Sequence, residues 1–378
     1  MNPRQRVRAA YTGEPVDRPP VAAPYVGLYH QDHFGELTGQ PQWQVHAWLH
    51  SSPEDHVAAL KRMVHLAPFD MLQPQLAPSR EARERVEIVR RGHQCFRHHK
   101  HEDRWEIIVE SPGHPIASTA NEEQRVLDTA DIQRLITPVP AERQLAAGSL
   151  DYIDAAVAAL GDEFFIVAGG VATPFWDATF YLGVSNLLAM AAQRPGFVDE
   201  VCRRILECSI ENIRALAAAR ADALYVDATL TTSDMISVPQ FERFALPYIT
   251  ELVAEIHRHD QLAYVYYFGG VADRLDLITS TGADALWIET SMKGYVNDIG
   301  AIADAIGCRV CLHGNIDPYG VLERGSDARL EAEIRRQAAA GARARGFVMS
   351  TGSPITPGTP LARVRRFIEL ARAAGGSG

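Results

Sequence analysis

Residues 346–360 read Gly346-Phe-Val-Met-Ser-Thr-Gly-Ser-Pro-Ile-Thr-Pro-Gly-Thr-Pro360, a short apolar run that passes directly into an irregular loop. The run Phe347-Val-Met349 is typical of a buried strand. Three prolines in the second half of the stretch prevent a helix and stiffen the loop. This order predicts the last strand of a closed barrel, in which the loops at the carboxyl ends of the strands carry the chemistry.

Seven further stretches have a similar length and apolar character. The eight predicted strands are 21–26, 69–75, 164–170, 223–226, 262–268, 285–289, 309–313 and 346–350. The segments between the later predicted strands carry apolar residues three and four positions apart, for example Val198, Val201 and Ile205. This spacing is typical of amphipathic helices. Strands that alternate with helices in this number predict an α/β fold, a parallel (β/α)8 TIM barrel.

The other segments are predicted to belong to the same domain, which would span residues 1–378. Residues 4–11 predict an N-terminal helical extension. Between about 86 and 110 two strand-like runs flank a polar turn, which predicts an inserted antiparallel β-hairpin. The Gly-Gly-Ser-Gly sequence at 375–378 predicts a flexible tail.

The composition restricts the class of partner. Lys and Arg total 37 against 47 Asp and Glu, and the net charge of -10 disfavours nucleic acid or an anionic membrane as the partner. No apolar run approaches the ~20 residues that cross a bilayer, and no secretory signal follows the charged amino terminus. Five cysteines fit reduced thiols better than a disulfide framework. We therefore expect a cytoplasmic protein with a small-molecule substrate.

Polar and aromatic side chains at the ends of the predicted strands would converge on one mouth of the barrel. They are Tyr25, Asp70, Gln73, Asp227, Tyr266, Glu289, His313, Asn315 and Ser353. Such acidic and phenolic groups perform general acid–base catalysis when burial moves their pKa values towards neutrality. We predict catalysis by Asp227, Tyr266 and His313, and substrate binding by most of the others.

Three of these residues also admit a structural interpretation. An uncompensated charge on Asp227, at the end of a buried strand, would be costly, so a functional role is favoured. Glu289 also ends a buried strand, but Lys293 could neutralise its charge in a salt bridge. A functional and a structural role for Glu289 therefore both stay open. His313 shares a strand face with Cys311, so the pair could supply two metal ligands, with Asp227 or Glu289 as a third. A buried histidine beside a core cysteine is the commoner arrangement, and we predict no bound metal.

Four motifs are similar to those of the uroporphyrinogen decarboxylase superfamily, which includes zinc methyltransferases that move a methyl group from a corrinoid to a thiol. They are Gly13-Glu-Pro-Val-Asp-Arg-Pro-Pro20, Pro239-Gln-Phe-Glu-Arg-Phe-Ala-Leu-Pro-Tyr248, Gly314-Asn-Ile-Asp-Pro318 and the stretch 346–360. They follow the family's order over nearly the whole chain. The resemblance implies the same barrel, an enzyme and a homodimer.

The expected substrate site departs from the family pattern. Where uroporphyrinogen decarboxylases carry Arg-Gln-Ala-Gly-Arg-Tyr, this chain reads Tyr25-Val-Gly-Leu-Tyr-His30, and a tyrosine cannot hold a carboxylate by a bidentate ionic bond. Ser353 replaces the family's histidine after the last strand. The zinc methyltransferases need His-x-Cys and a later cysteine, and here Tyr266-Tyr-Phe268 and Ser353 stand instead. The resemblance therefore implies neither a polycarboxylate porphyrinogen nor a zinc-bound thiol as substrate.

The resemblance also assigns roles to individual residues. It makes Asp70 the catalytic aspartate that holds pyrrole N–H groups, although a turn or helix cap is an equally good interpretation. It places Tyr181, or its neighbour Phe180, near the family's catalytic tyrosine. Loss of the arginines favours aromatic contacts with the substrate. The candidates for such contacts are Tyr25, Tyr29, Trp176, Tyr266 and Tyr267.

Three functions compete at this stage. The first is a metal-independent, decarboxylase-like lyase without a cofactor that acts on a small or aromatic substrate. The alternative is a methyltransferase without zinc, which would take its methyl group from a corrinoid protein or a folate. The third is a barrel that binds a ligand without turning it over.

Overall fold

A computed structural model of the chain describes residues 1–108, 126, 128–292 and 294–374. Three predictions fall outside the described residues: the tail at 375–378, the end of the insertion at 109–110, and Lys293 as the partner of Glu289.

The strands form a parallel barrel and a separate antiparallel sheet. Their bounds are β1 (Val21–Ala22), β2 (Met71–Leu72), β3 (Val86–Arg91), β4 (Gln94–His99), β5 (Arg104–Ile108), β6 (Phe165–Ala172), β7 (Ala223–Asp227), β8 (Leu262–Tyr267), β9 (Ala285–Ile288), β10 (Cys311–His313) and β11 (Gly346–Ser350). The eight strands of the barrel pair in the order β1-β11-β10-β9-β8-β7-β6-β2. Each of these pairs is parallel, so the predicted (β/α)8 barrel is confirmed.

Helices follow most of the barrel strands and surround them. Their bounds are α1 (Pro3–Thr12), α2 (Val26–Asp32), α3 (Phe34–Thr38), α4 (Gln44–Trp48), α5 (Pro53–Leu66), α6 (Arg80–Arg85), α7 (Thr129–Leu135), α8 (Ala141–Ala146), α9 (Asp151–Leu160), α10 (Pro174–Asp177), α11 (Thr179–Leu182), α12 (Val184–Gln193), α13 (Pro195–Ala217), α14 (Val238–Phe244), α15 (Leu246–His257), α16 (Leu275–Thr279), α17 (Ile299–Ile306), α18 (Asp327–Gly341) and α19 (Leu361–Ala373). A 3-10 turn spans Gly307–Arg309, and a π-helical turn spans Pro318–Glu323.

The N-terminal helix α1 closes one end of the barrel. The Arg4 N–H donates to the Glu163 carbonyl at 2.8 Å, and the Arg4 guanidinium lies 2.8 Å from Asp222. Those two residues lie just before β6 and β7 respectively, so α1 covers the amino-terminal end of the strands. Its Val7 and Tyr11 pack into the apolar cluster inside the barrel. The opposite end, where the strands finish, is the mouth.

A β-bulge interrupts β6 near the mouth. Val167 pairs with Ala223, but Gly170 pairs with Tyr225, so β6 has one residue more than β7 over this interval. Gly169 has a φ of +127°, and a Cβ on Gly170 would lie 2.2 Å from the Tyr225 carbonyl oxygen. Both positions therefore favour glycine.

The insertion is a three-stranded sheet, β3-β4-β5, rather than the predicted hairpin. The segment predicted as a polar turn contains the central strand β4, whose histidines and arginine conceal the strand pattern. Arg97 pairs with Glu106 at 3.0 Å, and the His98 ring stacks on Trp105 with centroids 3.9 Å apart. These cross-strand contacts stabilise an exposed sheet that has little apolar core.

Asp70 lies at the amino-terminal end of the barrel, so its predicted position at the mouth is wrong. Its carboxylate accepts hydrogen bonds from Arg6 at 2.9 Å, from Arg18 at 2.9 Å and from the Val21 N–H at 2.7 Å. The side chain is fully buried. The error arises because β2 begins only at Met71, one residue after Asp70. The structure therefore gives no support to a catalytic role for Asp70.

Replacing Asp70 with Ala should lower the free energy of unfolding by about 3–5 kcal/mol, because two arginines lose a buried counter-ion. The matched control is Asp327→Ala, since Asp327 also pairs with two arginines, Arg363 and Arg366, but its side chain is 58% exposed. That change should cost about 1 kcal/mol or less. Urea denaturation followed by circular dichroism measures both, and equal losses would contradict the structural role of Asp70.

Candidate active site

Asp227 is the central acidic group of the mouth. It ends β7, and its carboxylate accepts hydrogen bonds from the Thr229 N–H at 3.0 Å and the Thr229 hydroxyl at 2.6 Å. The Tyr25 hydroxyl donates to the other carboxylate oxygen. Tyr25 follows β1 with a φ of +48°, a conformation rare for a tyrosine, which orders the start of α2 around this contact. The prediction that Tyr25 and Asp227 meet at the mouth is confirmed.

Aromatic rings form one wall beside Asp227. The Tyr25 ring stacks on Tyr266 with centroids 4.6 Å apart, and Phe268 stacks on the same ring at 5.2 Å. Tyr225 meets Tyr266 edge-on at 4.9 Å. Tyr264 and Tyr266 on β8, with Phe268 just beyond its end, share the interior face with residues 225 and 227 on β7, as the two-residue alternation requires. Rings packed in this way hold the Tyr25 hydroxyl in place.

Burial raises the pKa values of two aspartates near the mouth, Asp227 and Asp177. It raises the pKa of Asp227, and the hydrogen bonds from Thr229 and Tyr25 oppose this only in part. Asp177, the last residue of α10, was not predicted as a site residue. Burial, and then the charge of Asp227, raise the pKa of Asp177 to about 7. Two carboxyl groups are thus able to hold a proton closer to neutrality than an exposed aspartate would.

Glu289 is a second acidic group at the mouth, immediately after β9. Its carboxylate accepts a hydrogen bond from the Tyr295 hydroxyl, and the Ser353 hydroxyl lies 3.4 Å from the other oxygen. The Asn315 side-chain amide donates to the Glu289 carbonyl at 3.2 Å and to the Asn297 carbonyl at 2.7 Å. Glu289, Asn315 and Ser353 therefore meet as predicted. Tyr295 was not predicted as a site residue, because it lies on a loop without a strand pattern.

Gln73 follows β2 and lies at the mouth, as predicted. Its side-chain amide approaches the Tyr225 hydroxyl at 3.4 Å, which is a long hydrogen bond.

His313 lies inside the barrel, below the mouth, so its predicted place at the rim is wrong. Its Nε2 lies 2.9 Å from the Tyr11 hydroxyl, and its ring stacks on Trp287 with centroids 4.1 Å apart. Burial lowers the pKa of His313 to about 3, so the ring is neutral at physiological pH. In the β9–β10 register, His313 pairs with Trp287, two residues before Glu289, which puts it one layer too deep.

The alternative ligand set, Cys311 and His313 with Asp227 or Glu289, does not assemble among the described residues. No group of three or more His, Cys, Asp and Glu side chains in that part of the chain is arranged to hold a metal ion. At the positions of the methyltransferase zinc ligands, Tyr266 is buried in the aromatic stack and accepts a 3.3 Å hydrogen bond from Tyr264. Phe268 offers no ligand atom, and Ser353 offers only a hydroxyl. This set does not fit zinc, which prefers thiolate and imidazole ligands.

Two predicted substrate contacts lie in the packed core instead. Tyr267 has the opposite strand parity to Tyr266 and points outward, where its hydroxyl donates to the Thr231 carbonyl at 3.3 Å. Tyr29 is 1% exposed and donates to the Thr359 carbonyl at 3.2 Å. Neither ring has free surface at the mouth, contrary to the prediction.

Trp176 and Tyr181 lie on α10 and α11, the short helices that follow β6. Both side chains are half-buried, and Tyr181 packs against the outer core. Their roles in substrate binding and catalysis stay predictions.

The sequence model of the family described as Uroporphyrinogen decarboxylase (URO-D) matches residues 116–374. The chain belongs to the uroporphyrinogen decarboxylase family. The resemblance drawn from the four motifs is therefore confirmed, and with it membership of a family of enzymes. None of the described helices is long and apolar enough to cross a membrane.

Individual relatives align with only part of the chain. The uroporphyrinogen decarboxylase of Tolumonas auensis is 27% identical over 208 residues, which are 54% of each chain. The chloroplastic uroporphyrinogen decarboxylase 2 of Arabidopsis thaliana is 25% identical over 253 residues, 64% of this chain and 60% of that protein. The chain thus spans little more than half the length of these curated relatives.

The fold matches a solved structure over nearly its whole length. A methyltransferase from Methanosarcina mazei superposes with a TM-score of 0.71 at 20% sequence identity, and the match covers 98% of each chain. At this identity the match establishes the shared barrel and leaves the reaction open.

Asp177→Asn should change how stability depends on pH. The pKa of Asp177 is about 7 in the folded protein against 3.8 as the ordinary value. Between these pH values the unfolded chain releases the proton and the folded chain keeps it, so stability falls as pH rises. The variant has no titrating group at this position, so its free energy of unfolding should not fall in this way. Between pH 4 and pH 7 it should gain about 1 kcal/mol or more in this free energy relative to the unchanged protein.

Urea denaturation at several pH values measures this difference. The control is Asp162→Asn, because Asp162 is an exposed aspartate. Parallel pH curves for Asp177→Asn and the unchanged protein would show that the Asp177 carboxyl carries no raised pKa.

Proposed function

We propose that the protein is an acid–base enzyme of the decarboxylase type, a lyase that acts on an electron-rich ring with few carboxylates. The observation that carries this proposal is the buried Asp227 carboxyl at the mouth, held by Thr229 and by the Tyr25 hydroxyl. Family membership supports the reaction class, since the named relatives are uroporphyrinogen decarboxylases.

The proposed reaction begins with proton transfer from the Asp227 carboxyl to the ring carbon that bears the carboxylate. The bond from this carbon to the carboxylate then breaks, carbon dioxide leaves, and the electron pair restores the ring. One proton is taken from water in each turnover to recharge the acid. The raised pKa values of Asp227 and Asp177 favour this role, because a general acid must be protonated near the working pH.

Tyr25 and the aromatic wall would position the ring. The Tyr25 hydroxyl donates to Asp227 and so opposes the effect of burial on the carboxyl pKa. Tyr266 and Phe268 place aromatic rings and no charge where the family's methyltransferases hold zinc, and of the two rings the half-buried Phe268 is the one with free surface. An aromatic substrate with one carboxylate fits this wall better than a porphyrinogen with many.

Methyl transfer is the alternative, because a solved methyltransferase shares the fold over 98% of the chain. It would need a corrinoid or folate methyl donor and a means of activating its acceptor other than zinc. The homodimer, the cytoplasmic location and a corrinoid partner protein stay predictions, and so does a barrel that binds a ligand without turnover.

Asp227→Asn should reduce decarboxylation at least 100-fold, because removing a general acid typically costs 10²–10⁴ in rate. The measurement is release of labelled carbon dioxide from a panel of carboxylated phenols, indoles and pyrroles, with uroporphyrinogen included. Asp162→Asn is the control for expression and folding. An unchanged rate in Asp227→Asn would remove this residue from the mechanism.

The same panel with methylcobalamin and thiol acceptors separates the two reaction classes. Release of carbon dioxide without cobalamin supports the proposal. Demethylation of the cobalamin with no release from any acid would establish methyl transfer instead.

Tyr25→Phe should move the alkaline limb of the pH profile of kcat/KM to higher pH. The variant keeps the stacked ring but removes the hydrogen bond that lowers the pKa of Asp227. Asp227 would then stay protonated to higher pH, so the active acid form would persist further into the alkaline range. A shift to lower pH, or none, would contradict the role of Asp227 as the acid.

A further inference from the structure

A cavity of about 260 Å³ lies between α2, the segment after β2 and the bulge of β6. Tyr25 and Tyr225 form part of its lining, and the Tyr25 hydroxyl is bonded to Asp227. The cavity also includes the side chains of Gln31, Gln73 and Gln75. We call this cavity the amide cleft.

The amide cleft has polar groups but no charge. None of the described residues that line it is an Asp, Glu, Lys, Arg or His. Its walls are otherwise apolar side chains, such as Leu28 and Leu216, and the backbone of Gly169 and Gly170. Specific small-molecule sites commonly combine apolar walls with a few polar groups of this kind.

The glutamine side chains retain unused hydrogen-bonding capacity. Within the described part of the chain, the amides of Gln31 and Gln75 have no hydrogen-bond partner, and Gln73 has one long bond, 3.4 Å to Tyr225. Each amide offers two N–H donors and a carbonyl acceptor. Three such groups around one cavity favour a ligand that both donates and accepts hydrogen bonds.

We propose that the amide cleft binds the uncharged part of the substrate, an aromatic ring with a carboxamide-like edge of adjacent donor and acceptor groups, and that Gln73 determines this specificity. The proposal rests on the proposed function only in identifying the ligand as the substrate. Gln73 is chosen because its side chain contacts the Tyr225 hydroxyl, and the Tyr225 ring meets edge-on the Tyr25 ring, whose hydroxyl is bonded to Asp227.

A neutral ligand is favoured over both charged forms on energetic grounds. A carboxylate in the cleft would lose water without gaining a cation, because none of the described lining residues carries a positive charge. A cation would be left with uncharged acceptors along the glutamine wall. A carboxamide matches the glutamines, because each side presents one donor and one acceptor to the other.

The test compares three probes of nearly equal shape: benzamide, benzoate and benzamidine, which are neutral, negative and positive. Affinities are measured by NMR titration of the unchanged protein near neutral pH. Benzamide should bind at least tenfold more tightly than either charged probe. Tighter binding of benzamidine would show that Asp227 rather than the amides governs the cleft, and no benzamide binding up to its solubility would overturn the proposal.

Variants at position 73 connect the selectivity to this residue. Gln73→Glu keeps the shape but replaces the amide with a carboxylate, so benzamide should lose at least tenfold in affinity and benzamidine should gain. Gln73→Leu should weaken all three probes without reversing their order. Gln193→Glu adds the same charge at an exposed position on α12, outside the cleft, and should change no affinity. Equal effects of the two glutamate substitutions would refute the role of Gln73.

Turnover separates this inference from the proposed function. If the probes bind in the expected order but no aromatic acid loses carbon dioxide, the cleft assignment stands and the decarboxylase proposal fails. If aromatic acids are decarboxylated and Gln73→Glu leaves both KM and kcat unchanged, the decarboxylase proposal stands and the cleft assignment fails.

Discussion

The carboxylate of Asp70 closes the barrel at the seam between its two shortest strands, β1 and β2. Strands β1 and β2 contain two residues each and lie at opposite ends of the strand order. The Asp70 N–H donates to the Val21 carbonyl at 2.8 Å, while the Asp70 side chain binds the Val21 N–H and two arginines. An isolated buried carboxylate would be unstable, but here it is fully paired, so the seam combines charge neutralisation with backbone pairing.

The mouth depends on this seam. Tyr25 lies three residues beyond the end of β1, and Gln73 lies one residue beyond the end of β2. Their reach to Asp227 and Tyr225 on β7 requires β1 and β2 to stay in register with the rest of the barrel. Below them, the interior is filled by rings, with Tyr264, Tyr266 and Trp287 in contact, which leaves little freedom for the groups above. The mouth thus lies above closely packed rings, and burial raises the pKa values of Asp227 and Asp177.

Sequence patterns correctly predict the site residues whose position follows from strand parity. They fail for residues whose position depends on where a short strand begins or ends. Asp227, Tyr266 and Glu289 were placed correctly, because β7, β8 and β9 have clear apolar patterns. Asp70 and His313 were misplaced, because β2 and β10 are short and their ends cannot be read from apolar runs. Tyr267 was misjudged although its parity with Tyr266 already excluded it. Asp177 and Tyr295 lie on loops and a short helix, where only three-dimensional proximity gives them significance.

In the bulge of β6, the wall of the amide cleft is formed by the backbone of Gly169 and Gly170, which does not depend on the side chains elsewhere in the cleft. Gly169 and Gly170 line the cleft without side chains, so substitutions at positions 31, 73 and 75 would change the chemistry of the cleft while the bulge stays in place. In evolutionary terms, a barrel built in this way can acquire a new ligand through a few surface exchanges while its scaffold and its acid stay in place.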